Sequence, residues 1–136
     1  DTRLIAALRR GQVGSYQVQA AIAAVHATSA SFSATDWPQI AGLYDRLAGL
    51  TPSPVVNLNR AAAHAMAFGE AAGLEALVTL ADSLGNYAPY HSTVGELLAR
   101  SGDSAGAIRA FERAIVAGTS EGEASRLRAE IDQLKG

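Results

Sequence analysis

The chain reads as an all-α protein, a right-handed stack of helix pairs closed by a C-terminal capping helix. Three observations carry this reading. Asp36, Glu70 and Asp103 recur at spacings of 34 and 33 residues, and each opens one apolar pattern at +4, +8 and +11: Ile40, Tyr44 and Leu47, then Leu74, Val78 and Ala81, then Ala107, Phe111 and Ala114. Hydrophobic residues make up 49% of the chain but aromatic residues only 6%, with Ala abundant, a composition that favours helix. No segment of useful length alternates apolar and polar β-branched residues as a strand would. A period in this range marks stacked two-helix units, which present a concave surface to another protein and rarely carry out chemistry.

The elements follow in order. Residues 2–10 have Leu4, Ile5 and Leu8 at helical spacing and end at a break bracketed by Gly11 and Gly14. Residues 16–29 form a second helix on a stripe of Val18, Ile22 and Val25, followed by a polar loop in which Phe32 is the one candidate for burial. Thr35 or Asp36 caps the third helix, which tolerates Pro38 in its first turn and stops at Gly49 and Pro52. Its core face is Trp37, Ile40, Leu43, Tyr44 and Leu47. Ser53 caps a helix that starts at Pro54 and ends at Phe68 before Gly69. One continuous helix is expected over 71–84, another over 90–101, and another over 104–117 between Asp103 and Gly118. In the last two, Val94 and Gly95 face Ala107, Phe111 and Ala114, with Gly95 letting the partner helix approach. Ser120 and Glu123 form a capping box for the final helix, whose Ala124, Leu127, Ile131 and Leu134 make a single apolar stripe. The expected organisation is one helical-repeat domain over 1–136: a leading helix and turn over 1–14, three helix pairs over 15–119, and a cap over 120–136.

Composition narrows the function. A length of 136 residues suits one domain with a sufficient core. The absence of Cys excludes a disulfide framework and thiolate metal sites, and fits a cytoplasmic setting. A net charge of −2 with scattered signs lacks the basic footprint of a nucleic-acid binder, so no direct nucleic-acid binding is expected. No apolar run reaches the roughly 18–20 residues of a membrane span. The first residue is Asp1, which suggests a domain cut from a longer protein.

No enzymatic constellation emerges, and no catalytic residue, cofactor or metal is assigned. The run 118–122 has the letters of a hydrolase elbow, but that motif requires a preceding strand and here follows a helix. His26, His64 and His91 lack the i, i+4 pairing of a zinc helix and are read as half-buried or groove residues. Asp36, Glu70 and Asp103 sit at helix starts, where a negative charge already favours the dipole. Trp37 and Tyr44, at helical spacing, are read as core. Asn57, Asn59, Arg60 and His64 form a polar cluster on the first helix of the middle pair, and first helices line the concave wall of such arrays. The candidate partner-binding groove therefore comprises Gln19, His26, Asn59, Arg60, Glu96 and Arg100, with Asn59 and Arg60 foremost because an amide and a guanidinium offer several donors. Glu96 and Arg100 are i, i+4, and a simple pair between them is the structural alternative.

Residues 88–119 resemble the tetratricopeptide consensus in residue type and spacing. The middle repeat is looser, with Ala61 and Ala62 at the small positions. Read together, YQVQAAIAAVHA, TDWPQIAGLYDRL, SPVVNLNRAAAHAMAFGEAAGLEAL and YHSTVGELLARSGDSAGAIRAFERAI resemble the tetratricopeptide-like C-terminal extension of bacterial extracytoplasmic-function sigma factors. The similarity spans about 16 to 134, and its most specific features are Gln17 to His26, Asp36-Trp37, Leu58-Asn59-Arg60 and Tyr90-His91. The promoter-binding sigma domains are absent from this chain, and only DTRLI resembles the linker into the extension. The resemblance implies a regulatory interaction domain that modulates transcription initiation in cis, with the sigma domains of the same chain or core RNA polymerase as partner. The alternative is a stand-alone helical-repeat scaffold for a peptide or protein unrelated to transcription.

Overall fold

The computed structural model describes residues 14–28 and 35–136, so the expected leading helix at 2–10 and Phe32 lie outside the described residues. Those described form eight helices and no strand: α1 Ser15–Thr28, α2 Trp37–Leu50, α3 Pro54–Phe68, α4 Glu70–Val78, α5 Ala81–Leu84, α6 Ala88–Arg100, α7 Ser104–Ala117 and α8 Glu121–Lys135. The chain divides into two compact units, one ending at Phe68 and the other starting at Gly69.

In the first unit, α2 packs against both α1 and α3. Val18, Ala21, Ile22 and Val25 of α1 meet Ile40, Ala41, Leu43 and Leu47 of α2, with Ala63 of α3 completing the core. Asp36 caps α2 as its position suggested: the carboxylate Oδ1 accepts from Gln39 N–H at 3.1 Å. The helix runs one residue past Gly49 and closes at Thr51, whose N–H donates to Leu47 O at 2.7 Å.

In the second unit, α6 packs on α7 and on α4, and α7 on α8. The centre is Phe111, 1% exposed, with Ala107, Ala114, Leu127 and Ile131 around it. Gly95 makes this possible. A Cβ placed there would fall 2.6 Å from Phe111 Cε1 and 2.7 Å from Cδ1, so any larger residue would collide with the ring. The α6–α7 turn is a Schellman closure. Asp103 N–H donates to Leu98 O at 2.9 Å and Gly102 N–H to Ala99 O at 3.1 Å. It needs the left-handed φ of +94° that Gly102 supplies without strain. Asp103 then caps α7 through Gly106 N–H at 2.9 Å.

Two local expectations are corrected. The helix expected over 71–84 breaks at Thr79 and Leu80 into α4 and α5. The Thr79 hydroxyl donates back to Ala76 O at 2.8 Å, a local bond that competes with continuation of the helix. Glu70 opens α4 as its first helical residue, a helix start as expected, and Gly69 holds the cap position without a side-chain bond. The capping box of α8 is half formed. Ser120 Oγ accepts from Glu123 N–H at 3.2 Å, but the Glu123 carboxylate turns to Arg126, taking bonds of 2.6 and 3.1 Å from its guanidinium. A charged donor on the same face outcompetes the single amide of the cap.

Candidate functional site

Side chains from α1, α2 and α3 converge on a cleft of about 290 Å³. Ile22 of α1 and Leu47 of α2, both buried, give it an apolar floor, and the half-buried Val56 of α3 extends that floor. Gln19 of α1 and Asn59 of α3, both exposed, stand at its rim with Tyr44 of α2 between the elements. Burial pushes the Tyr44 phenol up from its ordinary value, so it remains a neutral donor and acceptor at physiological pH. An apolar floor edged by two amides and a hydroxyl can seat an apolar side chain while pairing with the backbone on either side of it. The structure thus brings together Gln19 and Asn59 from the sequence-derived groove. It also moves Tyr44 from core to cleft wall: the ring packs on the core cluster, but one edge is open.

The other four groove candidates are placed differently. His26 is exposed and sets its ring edge-on against Trp37, with centroids 5.5 Å apart. Arg60 Nε donates to Asp45 Oδ1 at 2.6 Å, and His64 Nε2 reaches the same oxygen at 2.7 Å. A carboxylate can only accept, so His64 carries its hydrogen on Nε2. This triad ties α2 to α3. Partial burial pushes the Asp45 carboxyl up, but the hydrogen bonds and charges of Arg60 and His64 outweigh it, and the group lies below its ordinary value. The same His64 ring rests edge-on against the exposed Phe68, 5.4 Å away. In the second unit, Glu96 Oε1 lies 3.7 Å from Arg126 Nη2 of α8, and Arg100 occupies the exposed last turn of α6.

Sequence reasoning missed Asp45. A signal was present: Asp45 and Arg60 each lie seven residues from the Pro52-Ser53 turn, and residues equidistant from a helix-hairpin turn face one another. His91, read as a half-buried or groove residue, donates from Nε2 to Gly85 O at 2.6 Å and steadies the loop before α6. Among the described residues, no group of three or more metal-ligating side chains gathers, and no helix is long and apolar enough to cross a membrane.

No protein-family model matches the chain. An uncharacterized protein of Rhizobium meliloti (strain 1021) is 43% identical over 128 residues, a match that covers 94% of this chain and 30% of that protein. The chain therefore spans less than a third of the length of the relative it resembles.

Proposed function

We propose that this chain is a regulatory interaction domain, the C-terminal extension of a bacterial extracytoplasmic-function sigma factor. In this reading its tetratricopeptide-like pairs stack right-handedly and modulate transcription initiation in cis, in the cytoplasm, without catalysis. The observation that carries the reading is the joint occurrence of Gln17 to His26, Asp36-Trp37, Leu58-Asn59-Arg60 and Tyr90-His91 in one helical chain. Two further facts support it. Gln19 and Asn59, from two of those stretches, edge one cleft. A relative that matches nearly the whole chain continues well beyond it, as expected for a domain of a larger protein.

The cleft takes an apolar side chain of the sigma domains, their linker or core polymerase, with Gln19 and Asn59 pairing to the backbone. Arg60 acts in support, through Asp45, by fixing α3 against α2. The test is Gln19→Ala with Asn59→Ala in the full-length parent. Both residues are exposed, so melting should stay within about 0.5 kcal/mol of the parent in stability. Promoter-dependent transcription by the reconstituted polymerase should change. Unchanged transcription would remove the cleft from the mechanism. A natural gene with no sigma domains upstream of Asp1 would favour the scaffold reading instead.

A further inference from the structure

A second groove, of about 630 Å³, lies within the other unit between α5, α6 and α7. It is open to solvent, whereas sites for small molecules enclose most of their ligand. Its lining is small and apolar on one side, with Val94 of α6, Ala110 of α7 and Val116, which is 88% exposed. Asn86, Tyr90, His91 and Arg113 are its polar side chains, the Tyr90 hydroxyl already donating to Leu77 O at 3.1 Å, and no carboxylate lines it. The side chains of Asn86 and Arg113 make no hydrogen bond or ion pair among the described residues. His91 already donates from Nε2 to Gly85 O, which leaves Nδ1 of the neutral ring to accept. On the same helix Arg109 and Glu112, neighbours at i, i+3, lie outside the lining, so the charge in the groove is that of Arg113. The groove thus combines an exposed apolar residue, a cation with no counter-charge, and an amide that both donates and accepts.

We propose that this groove docks an extended acidic segment of a partner protein. An Asp or Glu of the segment meets Arg113, the adjoining small apolar side chain sits against Val94 and Val116, and the backbone pairs with Asn86 and His91 Nδ1. The commitment to an acidic occupant follows from charge complementarity, and to a peptide from the openness of the groove and its alternation of apolar and amide-like partners. The inference is independent of the cleft in the first unit and of the identity of the parent protein.

The experiment titrates the ¹⁵N-labelled 136-residue chain with the blocked peptide Ac-Ala-Asp-Val-Leu-Ala-NH₂ and with versions carrying Asn or Lys in place of Asp. Saturable shifts are expected at Asn86, Val94, Val116 and the Arg113 side chain. The Asn peptide should bind about tenfold more weakly, since a charge-assisted bond is lost, and the Lys peptide should not bind. Arg113→Gln should abolish the preference for Asp over Asn, and Val116→Ser should weaken both peptides. Arg113 and Val116 are both exposed, so neither change threatens folding. Equal binding of all three peptides, or no saturable shift up to millimolar peptide, would overturn the proposal. So would shifts produced by inorganic phosphate but not by the Asp peptide.

Discussion

Replacing Gly95 with Ala should destabilise the second unit, against the usual effect of that substitution in a helix. At an open helical position Gly→Ala stabilises by about 0.8–1 kcal/mol, because Ala loses less backbone freedom on folding. At position 95 the new methyl would sit 2.6, 2.7 and 3.0 Å from three carbons of the Phe111 ring. Ordinary contact between carbons is about 3.5–4.0 Å, so the ring or the helix must move by close to 1 Å. Phe111 is 1% exposed and held by Ala107, Ala114, Leu127 and Ile131, so it has little room to retreat. Overpacking of this kind costs about 1–3 kcal/mol, which offsets the gain in propensity and leaves a net loss of up to about 2 kcal/mol. Urea unfolding followed by circular dichroism at 222 nm gives the sign directly. A double-mutant cycle with Phe111→Leu assigns the cause, since leucine lacks Cε1 and Cζ, two of the three clashing atoms, and its flexible branch can turn the remaining Cδ away. In that background Gly95→Ala should be neutral or stabilising. A single Gly95→Ala variant more stable than the parent would refute the packing argument, and so would equal losses in both backgrounds.

Removing residues 120–136 should lower stability by at least about 3 kcal/mol and increase aggregation, because Leu127 and Ile131 are each buried side chains worth roughly 1.5–3 kcal/mol and their loss bares Phe111; an unchanged melting temperature would count against this. Asp45 has a lowered pKa in the folded chain, so its contribution is present above its unfolded value of about 3.9 and is lost as pH falls through the folded value. The melting difference between the parent and Asp45→Asn, at most about 1 kcal/mol for so exposed a triad, should therefore hold near pH 7 and shrink below about pH 4; a difference constant over that range would contradict the assignment. The chain alone should show no measurable binding to duplex DNA at physiological salt, since a net charge of −2 provides no counterion-release drive, and fluorescence anisotropy with salt-sensitive micromolar binding would overturn that expectation.

Most of the local structure was legible in the residues. The caps at Asp36, Asp103 and Ser120, the stops at Gly102 and Gly118, and the core stripes of α2, α7 and α8 follow from local rules, since each depends on neighbours within one or two turns. The contact of Gly95 with Phe111 was also foreseeable, because the two lie equally far from Asp103 at the turn and a glycine facing a large ring leaves little choice of partner. Other features needed the packed chain. The break at Thr79 depends on a side chain bonding its own helix rather than solvent, a close competition that propensity does not resolve. Arg60 looked like an available donor until the approach of α3 to α2 presented Asp45 to it. Tyr44 fits a core stripe by periodicity, but only the positions of Gln19 and Asn59 on two other helices make its edge part of a cleft. Helical period tells which side of a helix is apolar. Which polar groups on neighbouring helices meet, and which stay open to a partner, depends on the angle and register at which those helices pack, and these are set by side-chain fit across the interface rather than along the chain.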